Sequence, residues 1–235
     1  MCFIFSGIAD AAAIPQPSPS HRVLMIGNSL TEQNDLPRML CRLADATRVS
    51  LHCEAVILSG AALSDHWIDG HAAQRIAAGS WTIVVLQQGP SGTTGRPSLL
   101  EYATRYSRLI RGHGARPAMY MVWPSRQRSY DFDRVSDSYH AAALKNDALL
   151  LPVGEAWRAA WRRDQDIRLY APDNFHPTPA ASYLAALVFY HQLFGALPES
   201  TGEMTFAKSI AGDGLDVTRR QLGLLREAAI EACQK

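Results

Sequence analysis

Two short stretches, far apart in the chain, carry the residue types that acyl transfer needs. The first is Val23-Leu24-Met25-Ile26-Gly27-Asn28-Ser29-Leu30-Thr31, an apolar run that ends in a small turn presenting one serine. The second is Tyr170-Ala171-Pro172-Asp173-Asn174-Phe175-His176-Pro177-Thr178-Pro179, with an aspartate three residues ahead of a histidine. Serine chemistry on an acyl group requires a nucleophile, a base oriented by an acid, and donors aimed at the developing oxyanion. Ser29 is the candidate nucleophile, His176 the candidate base and Asp173 the group that would orient its ring. The prolines after His176 mark a loop-to-helix junction, since proline is tolerated in a helix's first turn, and this would hold the imidazole at a rigid position. Each stretch alone has a plainer reading. Asn28, Ser29 and Thr31 can cap the next helix, Asp173 can cap another, and His176 can face solvent from a loop.

The elements that must position these residues alternate in type. An all-apolar run such as residues 23–26 suits a strand buried on both faces of a parallel sheet. Gly27 permits the tight turn that follows it. Strands are expected over residues 22–26, 51–58, 81–88, 117–122 and 149–153. Helical spacing predicts helices over 36–46, 63–78, 98–113, 133–148, 155–163, 179–193 and 221–233. Strands joined by helical crossovers imply an α/β fold: a three-layer α/β/α sandwich, flavodoxin-like, around a parallel sheet of about five strands. In such sheets ligands bind beyond the carboxyl ends of the strands, which is where Ser29 would sit. No phosphate-cradling GxGxxG or GxxxxGK[ST] turn follows the first strand.

Composition bounds the function classes. The chain has 235 residues, 47% hydrophobic and 19% charged, with a formal net charge of +1, the balance of an ordinary globular domain. No basic block offers a nucleic-acid face, and no stretch of the domain is long and apolar enough to span a membrane. Residues 1–20 read as a leader or signal remnant ending in the spacer Pro15-Gln16-Pro17-Ser18-Pro19-Ser20. This would mean a periplasmic or secreted protein if the segment is a true signal, and a cytoplasmic one otherwise. Residues 21–235 are expected to form one domain. Cys2, Cys41, Cys53 and Cys233 include no CxxC pair. Cys41 and Cys53, on a predicted helix and the following strand, are within bridging reach, but buried free thiols are the preferred reading. His66 and His71 are five apart, whereas a helical metal pair needs a spacing of four, so no metal site is expected. Trp67, Trp81, Trp157 and Trp161 read as packing residues, and Arg126 and Arg128 as a solvated loop with a minor case for meeting an anionic substrate.

Taken in order, the motifs resemble the SGNH (GDSL-type) hydrolases. Gly27-Asn28-Ser29-Leu30 follows the first strand, Gly60 the second and a polar turn the third, and Asp173-x-x-His176 lies near the end. Further words are similar to one bacterial branch of that superfamily: Gly60-Ala61-Ala62-Leu63-Ser64-Asp65-His66-Trp67, Val84-Val85-Leu86-Gln87-Gln88, Pro152-Val153-Gly154-Glu155-Ala156-Trp157 and the residues from His176 to Ala186. The resemblance implies Ser29 as nucleophile, with Asn28 in place of the usual aspartate beside it, His176 as general base and Asp173 as its orienting acid. It implies the backbone N–H groups of Ser29 and Gly60 as oxyanion donors. The third donor of the superfamily is an asparagine in a Gly-x-Asn-Asp turn. Here that turn reads Gly89-Pro90-Ser91-Gly92, so Gln88 (or Gln87) or Ser91 is expected to substitute.

The resulting expectation is a serine hydrolase that cleaves a small-molecule or carbohydrate ester, with a small acyl group such as acetate and no cofactor. The rivals are an O-acyltransferase with the same triad and a carbohydrate-binding module that has lost activity.

Overall fold

The computed structural model describes residues 21–234, so the expected leader over 1–20 lies outside the described residues. Strands β1 (His21–Gly27), β2 (Leu51–Ile57), β3 (Ile83–Leu86), β4 (Arg116–Tyr120) and β5 (Leu149–Leu151) pair in parallel in the order β2-β1-β3-β4-β5. That is the flavodoxin-like order expected from the alternation. Val23, Leu24, Met25 and Ile26 are all buried because β1 is central, paired on both edges and covered on both faces.

Helices α1 (Ser29–Glu32) and α2 (Leu36–Ala46) lead from β1 to β2, and α3 (Leu63–Asp69) and α4 (His71–Ala78) lead on to β3. Helices α5 (Arg96–Gly112) and α6 (Phe132–Lys145) connect β3 to β4 and β4 to β5. The chain then runs through α7 (Val153–Arg163), α8 (Pro179–Phe194), α9 (Met204–Ala211) and α10 (Arg219–Cys233). Helices α3 to α6 pack together on one face of the sheet, while α2 and α7 to α10 pack together on the other. The connection from β1 to β2 and that from β2 to β3 run in opposite directions across the sheet. They leave a crevice beyond the carboxyl ends of β1 and β3, the general position of ligand sites in open α/β sheets.

Helix α8 fixes the far end of the chain against this frame. Its residues 180–190 are buried without a break, which is why its sequence is apolar all round rather than along one stripe. Phe189 meets Tyr120 of β4 edge to face at 4.9 Å. The helix begins at Pro179, with the Thr178 hydroxyl accepting from Ala181 N at 3.2 Å. The loop before it, which carries Asp173 and His176, is therefore tied to the core at its C-terminal end.

Three sequence expectations change. The helix expected over 63–78 is two, because Gly70 adopts a left-handed φ of 81° and turns the chain between them. Helix α9 was not expected from the spacing. Cys41 and Cys53 are not free thiols but form a disulfide. Helix α2 lies over β2 and brings the two Cα atoms to 6.1 Å, within the range a bridge requires. Closing a loop of this length is worth about 3 kcal/mol through the unfolded state. The double substitution Cys41→Ser/Cys53→Ser is expected to lower the unfolding free energy by about that amount. Denaturant titration with and without reductant would measure it, and a reductant-insensitive midpoint in the wild type would contradict the bridge.

Candidate active site

Ser29 begins α1 directly after the β1 turn, half-buried at the crevice. Its Oγ lies 2.9 Å from His176 Nε2, across 147 residues of chain. The opposite ring nitrogen, Nδ1, lies 2.5 Å from Asp173 Oδ2. A neutral imidazole with its proton on Nδ1 donates to the carboxylate and presents the Nε2 lone pair to the serine hydroxyl. The Asp173 carboxyl is held down to about 2, chiefly by the His176 side chain and then by the Phe175 backbone N–H. Its Oδ1 accepts from the N–H groups of Phe175 at 3.0 Å and His176 at 2.9 Å, so one carboxylate organises both the ring and the loop that carries it.

That loop is closed on itself and braced from β4. Ala171 N donates to His176 O at 2.8 Å, and Asn174 N to Ala171 O at 2.9 Å. Trp123 Nε1 donates to Phe175 O at 3.0 Å, and the Tyr170 hydroxyl to Pro124 O at 2.6 Å. Asn34, in a left-handed conformation with φ 58°, donates through Nδ2 to Pro177 O and Ser182 Oγ, both at 2.9 Å. It links the end of the serine turn to the start of α8.

The serine turn has its own scaffold, and here the sequence reading was incomplete. Gln87, fully buried at the end of β3, accepts through Oε1 from Asn28 N at 2.9 Å and from the Thr31 hydroxyl at 2.8 Å. Its Nε2 donates to Asn28 Oδ1 at 3.0 Å. A Cβ on Gly27 would stand 2.5 Å from both Gln87 Oε1 and Thr31 Oγ1, so glycine is required for close approach. Asn28 also donates through Nδ2 to Ala61 O at 2.9 Å, joining the serine turn to the turn that holds Gly60. Fully buried His66 donates through Nε2–H to Gly27 O at 2.9 Å, and burial keeps its ring neutral by lowering its pKa. His66 thus serves the site as a neutral donor, a role the metal-spacing test could not detect.

The candidate oxyanion donors divide. The N–H groups of Ser29 and of Gly60, the latter at φ 71°, make no hydrogen bond to protein among the described residues. Gln88 and Ser91 are differently placed. Gln88 Nε2 donates to Ser91 Oγ at 2.7 Å and to Gly95 O at 3.2 Å, and its Oε1 accepts from Leu63 N at 3.2 Å. The Ser91 hydroxyl donates to Gly89 O at 2.9 Å. Both side chains are buried and spent on stabilising the turn after β3, so neither offers an uncommitted hydrogen in this arrangement. Gln87 is committed to the serine turn as described. The Arg128 guanidinium is tied to Asp131, whereas Arg126 has no carboxylate partner among the described residues. No group of three or more His, Cys, Asp or Glu side chains among the described residues could hold a metal ion.

No family model and no curated protein sequence matches the chain. Solved structures do. An assigned SGNH hydrolase from Slackia heliotrinireducens superposes with a TM-score of 0.61 at 30% identity, covering 74% of this chain and 99% of that one. A DUF4886 family protein from Bacteroides uniformis superposes at 0.65 with 17% identity, covering 85% of this chain and 98% of its own. A variant of an acetyl-xylooligosaccharide esterase from Geobacillus superposes at 0.57 with 13% identity, covering 75% and 95%. The last two show a shared fold.

Removing the Gln87 amide would leave two buried donors of the serine turn, Asn28 N and the Thr31 hydroxyl, unpaired at about 1–3 kcal/mol each where water cannot replace it, while Asn28 Oδ1 keeps Leu30 N. Gln87→Leu is expected to lower the unfolding free energy by about 3 kcal/mol. A loss under about 1 kcal/mol in a denaturant titration would mean that the turn holds without it.

Proposed function

The chain belongs to the SGNH hydrolase family, and from that premise we propose that it is a serine esterase that cleaves a carboxylic ester through an acyl-enzyme on Ser29. The observation that carries the reading is the continuous chain from Ser29 Oγ to His176 Nε2 at 2.9 Å and from His176 Nδ1 to Asp173 Oδ2 at 2.5 Å. Ser29 attacks the ester carbonyl while His176 Nε2 takes the hydroxyl proton. Asp173 stabilises the imidazolium without taking its proton. The negative oxygen of the tetrahedral intermediate accepts hydrogen bonds from the backbone N–H groups of Ser29 and Gly60. Collapse breaks the bond to the alcohol, which leaves with the proton held on His176. Water, deprotonated by the same nitrogen, then releases the acid and restores Ser29.

The substrate class proposed is a small acyl group, such as acetyl, on a carbohydrate or other alcohol. The fold shared with an acetyl-xylooligosaccharide esterase supports the comparison. The Cys41–Cys53 bridge is in keeping with an oxidising compartment.

Ser29→Ala is expected to abolish hydrolysis of p-nitrophenyl acetate, and retention of the wild-type rate would reject the esterase reading. Asp173→Asn is expected to lower kcat by about 10⁴-fold with a native fold, because the ring loses its tautomer and its counter-charge. Asp173 has a depressed pKa in the folded state, so its contribution to stability is present above the ordinary carboxylate pKa and is lost as the pH falls toward about 2. Denaturant titration across pH is therefore expected to show this contribution falling away below the ordinary carboxylate pKa. Ser91→Ala tests the oxyanion hole. With two backbone donors, kcat is expected to stay within about threefold of wild type, whereas loss of a true donor costs about 10²–10³-fold.

A further inference from the structure

A cavity of about 1080 Å³ lies behind the loop that carries Asp173 and His176, lined by Arg126 and Ser129 ahead of α6, by residues of α6, α7, the segment between α7 and α8 and the start of α8, and by Gly214 and Asp216. It is far too large for an acetyl group, lying just above the ~300–1,000 Å³ typical of small-molecule sites. Ala171, Pro172 and Asn174 form one wall. The two residues from Asn174 to His176 span at most about 7 Å. Ser29, Gly60, Asp173 and His176 are not among the cavity's lining residues, so the loop stands between the cavity and the serine.

The lining has a definite chemistry. Phe132, Trp161 and Tyr170 supply aromatic surface. Trp161 and Tyr170 lie 5.6 Å apart with planes 32° from parallel. Their polar atoms are already used, Trp161 Nε1 on Ile167 O and the Tyr170 hydroxyl on Pro124 O, so what they offer a ligand is ring surface. Four arginines border the same space. Arg158 pairs with Asp133 at 2.9 Å and Glu155 at 3.1 Å, Arg162 pairs with Glu231 at 2.6 Å, and Arg168 pairs with Asp216. Arg126 is the one without a carboxylate, and its backbone N–H is fixed to Asn174 O at 2.9 Å. An alkyl chain would lie among guanidinium groups and carboxylates that need water. A polyanion would meet the carboxylates that already neutralise three of the arginines. A polyhydroxylated ring with a single carboxylate satisfies both conditions, its C–H face on the aromatic rings and its charge on Arg126.

We propose that this cavity is a binding site for an acidic saccharide, a uronate-bearing sugar held apart from Ser29 by the loop of Asp173 and His176. Calorimetric titration of the full chain with tri-galacturonate and with neutral xylotriose tests the binding without turnover. Tri-galacturonate is expected to bind at least about tenfold more tightly, a difference of about 1.4 kcal/mol. Arg126→Gln is expected to remove that preference. The side chain is exposed, so folding is not at stake. Equal affinity for the two sugars, no binding of either, or an unchanged preference in Arg126→Gln would overturn the proposal. The same protein assayed with p-nitrophenyl acetate separates the two readings. Binding without hydrolysis leaves the saccharide site and removes the esterase, and hydrolysis without binding does the reverse.

Discussion

A buried carboxamide pair, Gln87 against Asn28, sets the geometry on which the candidate site depends. Strands β1 and β3 are neighbours, and the two residues close the gap between their carboxyl ends with two hydrogen bonds, while Gln87 accepts a third from the Thr31 hydroxyl. The approach is close enough that Gly27 can carry no side chain. Inside a protein such a network is favourable only when every partner is met, because each unpaired buried group costs more than the pair gains. Here each amide oxygen accepts two hydrogen bonds and each amide nitrogen donates one, and Asn28 passes the constraint on to Ala61 beside Gly60. The two free N–H groups of Ser29 and Gly60 are thereby held in one frame. The asparagine that stands where the family more often has aspartate is thus a structural joint between two turns, needing both a donor and an acceptor, which a carboxylate could not supply.

The other half of the site is positioned by different physics. Asp173 and His176 lie on an exposed loop that gains order from its ends rather than from burial. One end leads into α8, the most completely buried helix, and the other is held by hydrogen bonds from Trp123 and Tyr170. Asn34 crosses from the serine side to Pro177 and Ser182. The histidine is consequently referenced both to the sheet and to the serine turn. A base must stay within hydrogen-bond reach of its nucleophile, and small displacements carry a large rate cost.

The loop is also a partition. Its inner side faces Ser29, and its outer side walls the arginine- and aromatic-lined cavity. Ion pairing decides the character of that cavity more than its count of arginines does, since three of the four are neutralised.

The amino-acid sequence by itself determined the α/β alternation, the turn presenting Ser29, the glycine after β2 and the Asp-x-x-His segment. These are local patterns: apolar runs, turn residues, and two functional groups within one loop. What tertiary structure alone decided is everything that depends on facing. Gln87 and Gln88 are neighbours just past the end of β3, and their side chains meet different turns. Only the packing shows that Gln87 holds the serine turn while Gln88 and Ser91 are consumed by their own turn. His66 read as a failed metal ligand until the fold put Gly27 O against its ring. Cys41 and Cys53 read as separate thiols because no spacing rule fixes how a helix settles over the next strand, and 6.1 Å between Cα atoms is a property of that settling. Residue type and local order can be read along a chain, but the direction of a side chain and the partner it meets are set by which surfaces the whole fold brings together.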